Sequence, residues 1–332
     1  MRKLKMGVFG CSSHYFKRVA VPLRSSSLVE PYAIASRDGV RAQAAAKDWG
    51  FAVAHSSYEA LVADPGVDFV YNPLPNHLHL EWIKKAADAG KHVLCEKPLG
   101  LDAAQAREAA AYCARKGVLL MEAFMYRFHP QWKRASELVE AGEIGRVMAT
   151  HCVFTYNNKD PANIRNIAEF GGGALLDIGC YAVSSARFLM RAEPERVQCL
   201  IERDRTFGTD VLVSGILDFG AGRRSTFTVG TQLFSVQRVD AFGTGGSLSV
   251  EVPFNMYGDV PGRVHVANDV GRRIVETAID DQYRLQFDAF ALAVAEKKPA
   301  PTPVSDAIAN MAVLDALKAS AASGNWEAVA KQ

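Results

Sequence analysis

The sequence predicts an α/β fold in which a doubly wound parallel sheet is followed by an α+β domain with a large, mostly antiparallel open sheet. Three observations carry this prediction. Short apolar runs alternate with Ala-rich segments of 3.6-residue period, strand-like β-branched and aromatic runs follow, and a length of 332 residues suits two domains. We expect these domains at residues 1–122 and 123–332.

The first domain is predicted to contain five buried strands and three crossover helices. We expect the strands at residues 5–9, 29–35, 68–71, 91–95 and 118–121. The Ala-rich helices should lie at residues 39–49, 77–89 and 101–116. This alternation is typical of βαβ units and predicts a sheet of the Rossmann type.

The second domain is predicted to be mostly sheet. After a helix at 132–141, strands are expected at 146–156, 196–202, 211–219, 225–233, 236–242, 247–252, 264–267 and 272–276, with closing helices at 282–296 and 305–320. Helices on one side would leave the other face bare, and Phe227, Val229, Phe234 and Val236 would make that face apolar. We therefore expect a homo-oligomer, a dimer or tetramer, built on this face.

Composition narrows the possible partners. With 38 Lys+Arg against 36 Asp+Glu, the chain has no basic, aromatic-rich stretch, so nucleic acid is not expected as a partner. No apolar run reaches the roughly 18 residues of a membrane span. The six cysteines form no CxxC pair, which predicts reduced thiols, no metal site and a cytoplasmic protein. The partner that we expect is a small-molecule substrate.

The loop after the first strand carries part of a dinucleotide fingerprint. Gly10 is the first glycine of G-x-G-x-x-G, whereas Ser12 and Ser13 stand where the loop would approach a pyrophosphate. A serine is small enough for that approach, and the helix beginning there would offer N–H groups. The alternative is that Gly10 only makes a tight strand-to-helix turn, and the loop alone does not decide between the two.

The end of the second strand bears on the choice of cofactor. An NAD-specific protein would usually place an acid there to bind the ribose 2′-hydroxyl, but Ser36 and Arg37 come first and could pair with a 2′-phosphate. NADP(H) is therefore favoured and NAD(H) remains possible. A solvated arginine at a strand end is the alternative.

Two further loops follow strands at the carboxyl edge of the sheet, where ligands of this fold bind. In the first, we expect Pro73, Leu74, Asn76 and His79 to line the cofactor site. In the second, Glu96 and Lys97 end a strand just before Pro98, which restricts Lys97. A lysine there could stabilise charge on a reacting oxygen or hold a tyrosine for proton transfer; pairing with Glu96 at the surface is the alternative.

A helix of the second domain carries the complementary groups. Asp177 and Tyr181 are four residues apart after a glycine-rich segment, so both side chains would share one helical face. A phenol with a pKa of about 10 needs a nearby cation, such as Lys97, to act near neutrality. The alternatives are a packed tyrosine and a surface carboxylate.

In this order, these segments resemble the Gfo/Idh/MocA family of oxidoreductases, over essentially the whole chain. The matching segments are residues 7–11, 35–37, 72–79, 95–99 and 177–181, and the Glu-Lys-Pro and Asp-x-Gly-x-Tyr elements together are specific. The resemblance implies that Lys97, Asp177 and Tyr181 are catalytic and that Arg127 and His129 line the substrate side. Tyrosine in place of histidine is similar to the branch of xylose and dihydrodiol dehydrogenases and nucleotide-sugar ketoreductases.

The resemblance implies an NADP(H)-dependent enzyme that moves hydride to or from a carbinol or carbonyl carbon of a sugar, polyol or dihydrodiol. A ketoreductase of nucleotide-linked keto-sugars is the alternative within the same chemistry. A regulatory protein that binds nucleotide without turnover is an alternative of another class, because Ser12 replaces the second glycine of the loop.

Overall fold

The computed structural model describes residues Arg2–Lys331, which form two compact units. One unit comprises the chain up to Met125 together with Tyr283–Ile308, and the other comprises Tyr126–Gln282 and the chain from Ala309 onward. The segment 283–308 thus belongs to the first unit, whereas the sequence analysis assigned it to the second domain. Among the described helices, none has the length and apolarity that a bilayer span requires.

The first unit contains a six-stranded parallel sheet in the order β3-β2-β1-β4-β5-β6, which confirms the predicted fold class. The strand order reverses at β1, because β2 lies on one side of it and β4 on the other. Doubly wound folds bind ligands at the carboxyl edge of the sheet beside such a reversal. The strands are β1 Leu4–Phe9, β2 Val29–Ala35, β3 Val53–His55, β4 Phe69–Asn72, β5 His92–Cys95 and β6 Leu120–Glu122. The short β3 was not predicted.

The helices of this unit have clear end signals. Asp38 caps α2 by accepting hydrogen bonds from the backbone, and Gly50 ends it with a positive φ of 78°. Asp102 and Gly117 do the same for α5. The helices are α1 Ala20–Leu23, α2 Gly39–Trp49, α3 Tyr58–Ala63, α4 His79–Asp88 and α5 Ala103–Lys116, of which the sequence predicted α2, α4 and α5.

The second unit is built on a nine-stranded sheet in the order β14-β13-β12-β11-β7-β10-β9-β8-β15. Strands β7 and β10 run parallel, and the other described neighbours run antiparallel. The strands are β7 Val147–Asn157, β8 Arg196–Arg203, β9 Asp210–Asp218, β10 Arg224–Gly230, β11 Gln232–Gly243, β12 Gly246–Val250, β13 Arg263–Asn268, β14 Gly271–Glu276 and β15 Glu327–Ala328.

Four further helices complete the chain. They are α6 Pro130–Glu140, α7 Cys180–Met190, α8 Gln282–Ala295 and α9 Val304–Ser323. In the first unit, α8 places the Phe287 ring 5.0 Å from that of Tyr71 and the Phe290 ring 5.4 Å from that of Phe69. These edge contacts bury one side of β4 under α8.

The open face of the large sheet differs from the one predicted. Phe227 and Val229 are 2% and 0% exposed, and the Phe227 ring lies under Leu317 of α9 beside Gly215, so both side chains point to the covered face. Phe234 and Val236 are 86% and 44% exposed, as expected for the bare face. The expectation was wrong for β10, because side chains alternate along a strand and the pattern alone does not say which set is covered.

Candidate active site

The turn after β1 requires a glycine. Gly10 has a φ of 75°, and a Cβ at this position would lie 3.3 Å from Cδ2 of Leu74 and 3.4 Å from the Tyr58 hydroxyl. Ser12 caps the following helix, since its Oγ accepts a 3.1 Å hydrogen bond from the Tyr15 N–H. The exposed Ser13 is the first helical residue. This strand, glycine turn and helix N-terminus fit an anion such as a pyrophosphate.

The end of β2 leaves an arginine exposed. Asp38 is engaged in capping α2, with Oδ1 accepting from the Val40 N–H at 2.9 Å and the Arg41 N–H at 3.2 Å. The Ser36 Oγ is buried and accepts from the Asp38 N–H at 3.1 Å. Burial raises the pKa of Tyr58, and the Arg37 guanidinium beside it opposes that shift. Of these residues, Arg37 presents a charge that could meet a 2′-phosphate.

The loop after β4 is tied to the loop after β5 by a buried histidine. His79 is fully buried, with Nδ1 2.9 Å from the Pro98 carbonyl oxygen and Nε2 2.8 Å from that of Leu74. Burial lowers its pKa. Both ring nitrogens therefore face backbone carbonyl oxygens, so His79 positions this loop, and the expected contact with the cofactor stays a prediction. Pro73 and Leu74 are buried in this loop and Asn76 is half-buried.

Glu96 is a half-buried anion immediately before Lys97. Its Oε1 accepts a 2.7 Å hydrogen bond from the Tyr71 hydroxyl and lies 3.5 Å from Nε2 of His14. Burial raises the pKa of Glu96, but His14, Lys97 and Tyr71 outweigh burial and hold it below its usual value. Lys97 is half-buried, precedes a cis peptide to Pro98 and lies in the field of this carboxylate. A cation at this edge suits a reacting oxygen.

In the second unit, Asp177 is held by two side chains. Its Oδ2 accepts a 2.7 Å hydrogen bond from the Tyr156 hydroxyl and a 2.9 Å hydrogen bond from Nε of Arg165. The carboxylate is only 12% exposed, so it is not the surface group of the alternative interpretation. Asp177 lies in a π-helical turn, Leu175–Gly179, that leads directly into α7. Tyr181 is the second residue of α7.

Tyr181 is buried in an aromatic cluster. Its ring centroid lies 5.0 Å from that of Phe254, 5.7 Å from Phe154 and 6.0 Å from Tyr126. The Tyr126 hydroxyl is 2.7 Å from Oγ of Ser184, to which Nη2 of Arg127 donates at 2.8 Å. These rings restrict the orientation of the Tyr181 phenol. Arg127 is in direct contact with this cluster, since its Nε donates to the Tyr126 hydroxyl at 3.3 Å.

His129 has a different environment from the one expected. It is fully buried, and its Nδ1 accepts a 3.2 Å hydrogen bond from the Gln131 N–H, which caps α6. Burial lowers the pKa of His129 to about 4. The structure thus gives Nδ1 of this imidazole a capping role, and the expected contact with substrate stays a prediction.

Arg165 is a residue of this site that no sequence motif indicates. Asp177 raises the pKa of its guanidinium, burial opposes that shift, and Tyr156 and Tyr181 add to it, so Arg165 is electrostatically coupled to Tyr181 as well as paired with Asp177. It lies in the short turn Ile164–Asn166, whose start is capped by Asn163. A lone arginine in an irregular segment gives no periodic signal. Its only sequence cue is its place just before Gly171 to Gly173.

Within residues 2–331, no cluster of three or more His, Cys, Asp or Glu side chains could hold a metal ion.

Two family models match the chain. The model described as an oxidoreductase family with an NAD-binding Rossmann fold matches residues 4–124, and the model of the GFO/IDH/MocA C-terminal domain matches residues 132–249.

Proteins of several organisms are similar to this chain over nearly its whole length. An oxidoreductase of Rhizobium meliloti, ORF334, is 42% identical over 99% of this chain and 100% of its own length. The D-xylose 1-dehydrogenase (NADP(+)) 2 of Haloferax volcanii is 40% identical over 97% and 98%. The crystal structure of KijD10, a 3-ketoreductase of Actinomadura kijaniata with NADP and TDP-benzene, superposes with a TM-score of 0.91 at 32% identity, covering 96% and 98%.

Proposed function

We propose that this chain, which belongs to the GFO/IDH/MocA family of oxidoreductases, moves a hydride between NADP(H) and a carbinol or carbonyl carbon of a sugar, polyol or dihydrodiol. The observation that carries the proposal is the surroundings of Tyr181: a phenol in an aromatic cluster, four residues after Asp177, whose carboxylate pairs with Arg165. Such a phenol is suited to exchange a hydroxyl proton.

The first unit supports a pyridine nucleotide as the cofactor. The Gly10 turn and the helix starting at Ser13 fit a pyrophosphate, and Ser36 and Arg37 fit a 2′-phosphate while Asp38 is occupied as a helix cap. The Haloferax relative is named as an NADP(+) enzyme, and the Actinomadura protein KijD10 was crystallised in complex with NADP. NADP(H) is therefore favoured over NAD(H).

The chain's own residues supply the proton chemistry. The bound nicotinamide would give or take the hydride. In the proposed reaction, Tyr181 takes or gives the proton of the substrate hydroxyl, and the Lys97 ammonium stabilises negative charge as it develops on the same oxygen. Asp177, held by Tyr156 and Arg165, fixes the electrostatic surroundings of the phenol.

Two substrate classes have specific support. D-xylose 1-dehydrogenase, at 40% identity, favours a free sugar. The KijD10 structure and the 34% identical dTDP-sugar 3-reductase of the same organism favour a nucleotide-linked keto-sugar. We place the free sugar or polyol first because of the higher identity over 97% of the chain.

The experiment that tests the proposal has two steps. Fluorescence titration with NADPH and NADH measures binding, and absorbance at the reduced-nicotinamide band then follows turnover of aldoses, polyols, dihydrodiols and dTDP-keto-sugars. We expect tighter binding of NADPH and turnover of an aldose or polyol. Turnover of only the dTDP-linked compounds would favour the ketoreductase, and binding without turnover of any compound would contradict the proposal.

We also propose a homo-oligomer built on the open face of the nine-stranded sheet. Phe234 and Val236 are exposed there, as is Phe242 at 47% on the same strand. Apolar side chains on an unpartnered sheet face are typical of a subunit interface. Light scattering of the protein and of Phe234→Lys tests this, since the substitution should lower the observed mass.

A further inference from the structure

Arg165 contributes a positive charge beside the catalytic candidate Asp177. Its Nε lies 2.9 Å from Oδ2 of Asp177, and that carboxylate oxygen also accepts from Tyr156 at 2.7 Å. Arg165 is also electrostatically coupled to Tyr181. Coupling between two charged states is reciprocal, so a guanidinium that gains from a Tyr181 phenolate favours that phenolate by the same free energy.

The charges around Tyr181 in this unit come from several elements. Asp177 lies on the same helix, Arg165 on the turn Ile164–Asn166, Tyr156 on β7, and Tyr126 and Arg127 on the turn Met125–Phe128. Arg127 is bonded to Ser184 and stacks over Phe188 with its Cζ 5.6 Å from the ring centroid. Among these groups, the negative charge of Asp177 disfavours a Tyr181 phenolate, and the positive charge of Arg165 counteracts that effect.

Asp210 is a further carboxylate near this turn, and it acts at the helix start. Its Oδ2 accepts a 2.6 Å hydrogen bond from the Leu175 N–H, and burial raises its pKa. The adjacent Gly173 has a φ of 117° and no room for a Cβ beside the Asp210 carboxylate. Asp210 thus fixes the start of the turn that carries Asp177, because it binds the N–H of Leu175, two residues before Asp177.

We propose that Arg165 is a positioning residue that offsets the charge of Asp177 and so keeps the Tyr181 phenol ionisable for proton transfer. The inference rests on the proposed function, in which Tyr181 exchanges the substrate proton. Without Arg165, the half-buried Asp177 would be left as an uncompensated negative charge on the same helix as the phenol.

The test measures the titration of Tyr181 directly, without turnover. The full chain is labelled with ¹³Cζ-tyrosine, and the Tyr181 signal is assigned by its loss in Tyr181→Phe. In Arg165→Gln, the titration midpoint of Tyr181 should move to higher pH, and Arg165→Lys should restore most of the shift because it keeps the charge. An unchanged midpoint in folded Arg165→Gln would overturn the proposal.

The chain offers a matched control for the loss of an arginine. Nε of Arg196 contacts Oδ2 of Asp218 at 2.9 Å, the same atoms and distance as in the Arg165 pair, but between β8 and β9. Arg196→Gln should leave the Tyr181 midpoint unchanged. An equal shift in this variant would mean that the effect is general and would also overturn the proposal.

A second variant covers the case in which Arg165→Gln does not fold. Asp177→Asn keeps Arg165 and removes the opposing charge, so the Tyr181 midpoint should move to lower pH; a midpoint that stays or rises contradicts the proposal. In the direction of alcohol oxidation, where Tyr181 acts as the base, the kcat of Arg165→Gln should fall about tenfold at neutral pH for each unit by which the midpoint rises, and recover in alkali. If the wild type turns over no substrate, the proposed function fails, while the titration still decides the role of Arg165.

Discussion

The Tyr71 hydroxyl donates a 2.7 Å hydrogen bond to Oε1 of Glu96, which joins β4 to the end of β5. The other carboxylate oxygen of Glu96 accepts from the Lys97 N–H at 3.3 Å. The backbone at Lys97 is thus fixed from within the first unit. A lysine held in this way needs little further ordering to act on a substrate oxygen.

Lys97→Met should lower kcat by about 10²–10³-fold, the effect of removing one preorganised donor to a developing oxyanion. NADPH affinity, measured by fluorescence, should change much less. Lys91→Met is the control, because the Lys91 ammonium donates to the carbonyls of Asp64 and Val67 and should affect unfolding but not kcat. Equal kcat values for Lys97→Met and the wild type would remove Lys97 from the reaction.

Tyr181→Phe should lower kcat by about 10²–10⁴-fold, since proton transfer by a positioned group contributes that much. The ring keeps its contacts with Phe154 and Phe254, so folding and NADPH binding should be nearly unchanged. Steady-state kinetics with a titrated cofactor measures both effects. Tyr112→Phe, which loses only a hydroxyl bonded to exposed Asp88, is the matched control. Full activity of Tyr181→Phe would contradict the proposed proton transfer.

Arg37→Gln should weaken NADPH binding by about 10–100-fold, because a hydrogen bond to a charged group contributes about 1.5–3 kcal/mol. NADH lacks the 2′-phosphate and serves as the internal control, so its affinity should stay the same. Parallel fluorescence titrations give both constants. An equal loss for NADH and NADPH would mean that Arg37 acts on the fold rather than on the phosphate.

His129→Asn should change how stability depends on pH. The pKa of His129 is about 4 in the folded chain against an ordinary value of 6.5, so the unfolded chain binds more protons between these values and the free energy of unfolding falls as pH falls. Asparagine keeps a helix cap but does not titrate. As pH falls from 6.5 to about 4, the free energy of unfolding of the variant should decrease by up to about 3 kcal/mol less than that of the wild type. Urea unfolding measures this, and parallel curves would contradict it.

The sequence was sufficient for the elements with strong periodicity. Residues 39–49 were predicted as a helix, and α2 is Gly39–Trp49, because its Ala-rich face lies between the Asp38 cap and Gly50. The three-residue β3 and six-residue α3 were missed, since a period is not visible over so few residues. The pairing of β7 with β10 in parallel depends on contacts distant in sequence, so no local pattern could predict it.

The candidate site was predictable only in part. Lys97, Asp177 and Tyr181 stand in recognisable motifs at element ends, so their positions could be inferred. Arg165 could not, because its partner Asp177 is twelve residues away across an irregular segment. The expected contacts of His79 and His129 with cofactor and substrate stay predictions, since a motif near a ligand site does not show that both imidazoles are buried and contact the backbone.

The passage of Tyr283–Ile308 into the first unit has a consequence for how this protein could be divided or recombined. The chain crosses from one unit to the other after Met125, after Gln282 and after Ile308, so a single cut releases neither unit intact. A fragment ending at residue 122 would lack Phe287 and Phe290, leaving Tyr71 and Phe69 uncovered. Exchanging cofactor units between relatives would therefore require two separated gene segments, and fusion at one junction should give insoluble protein.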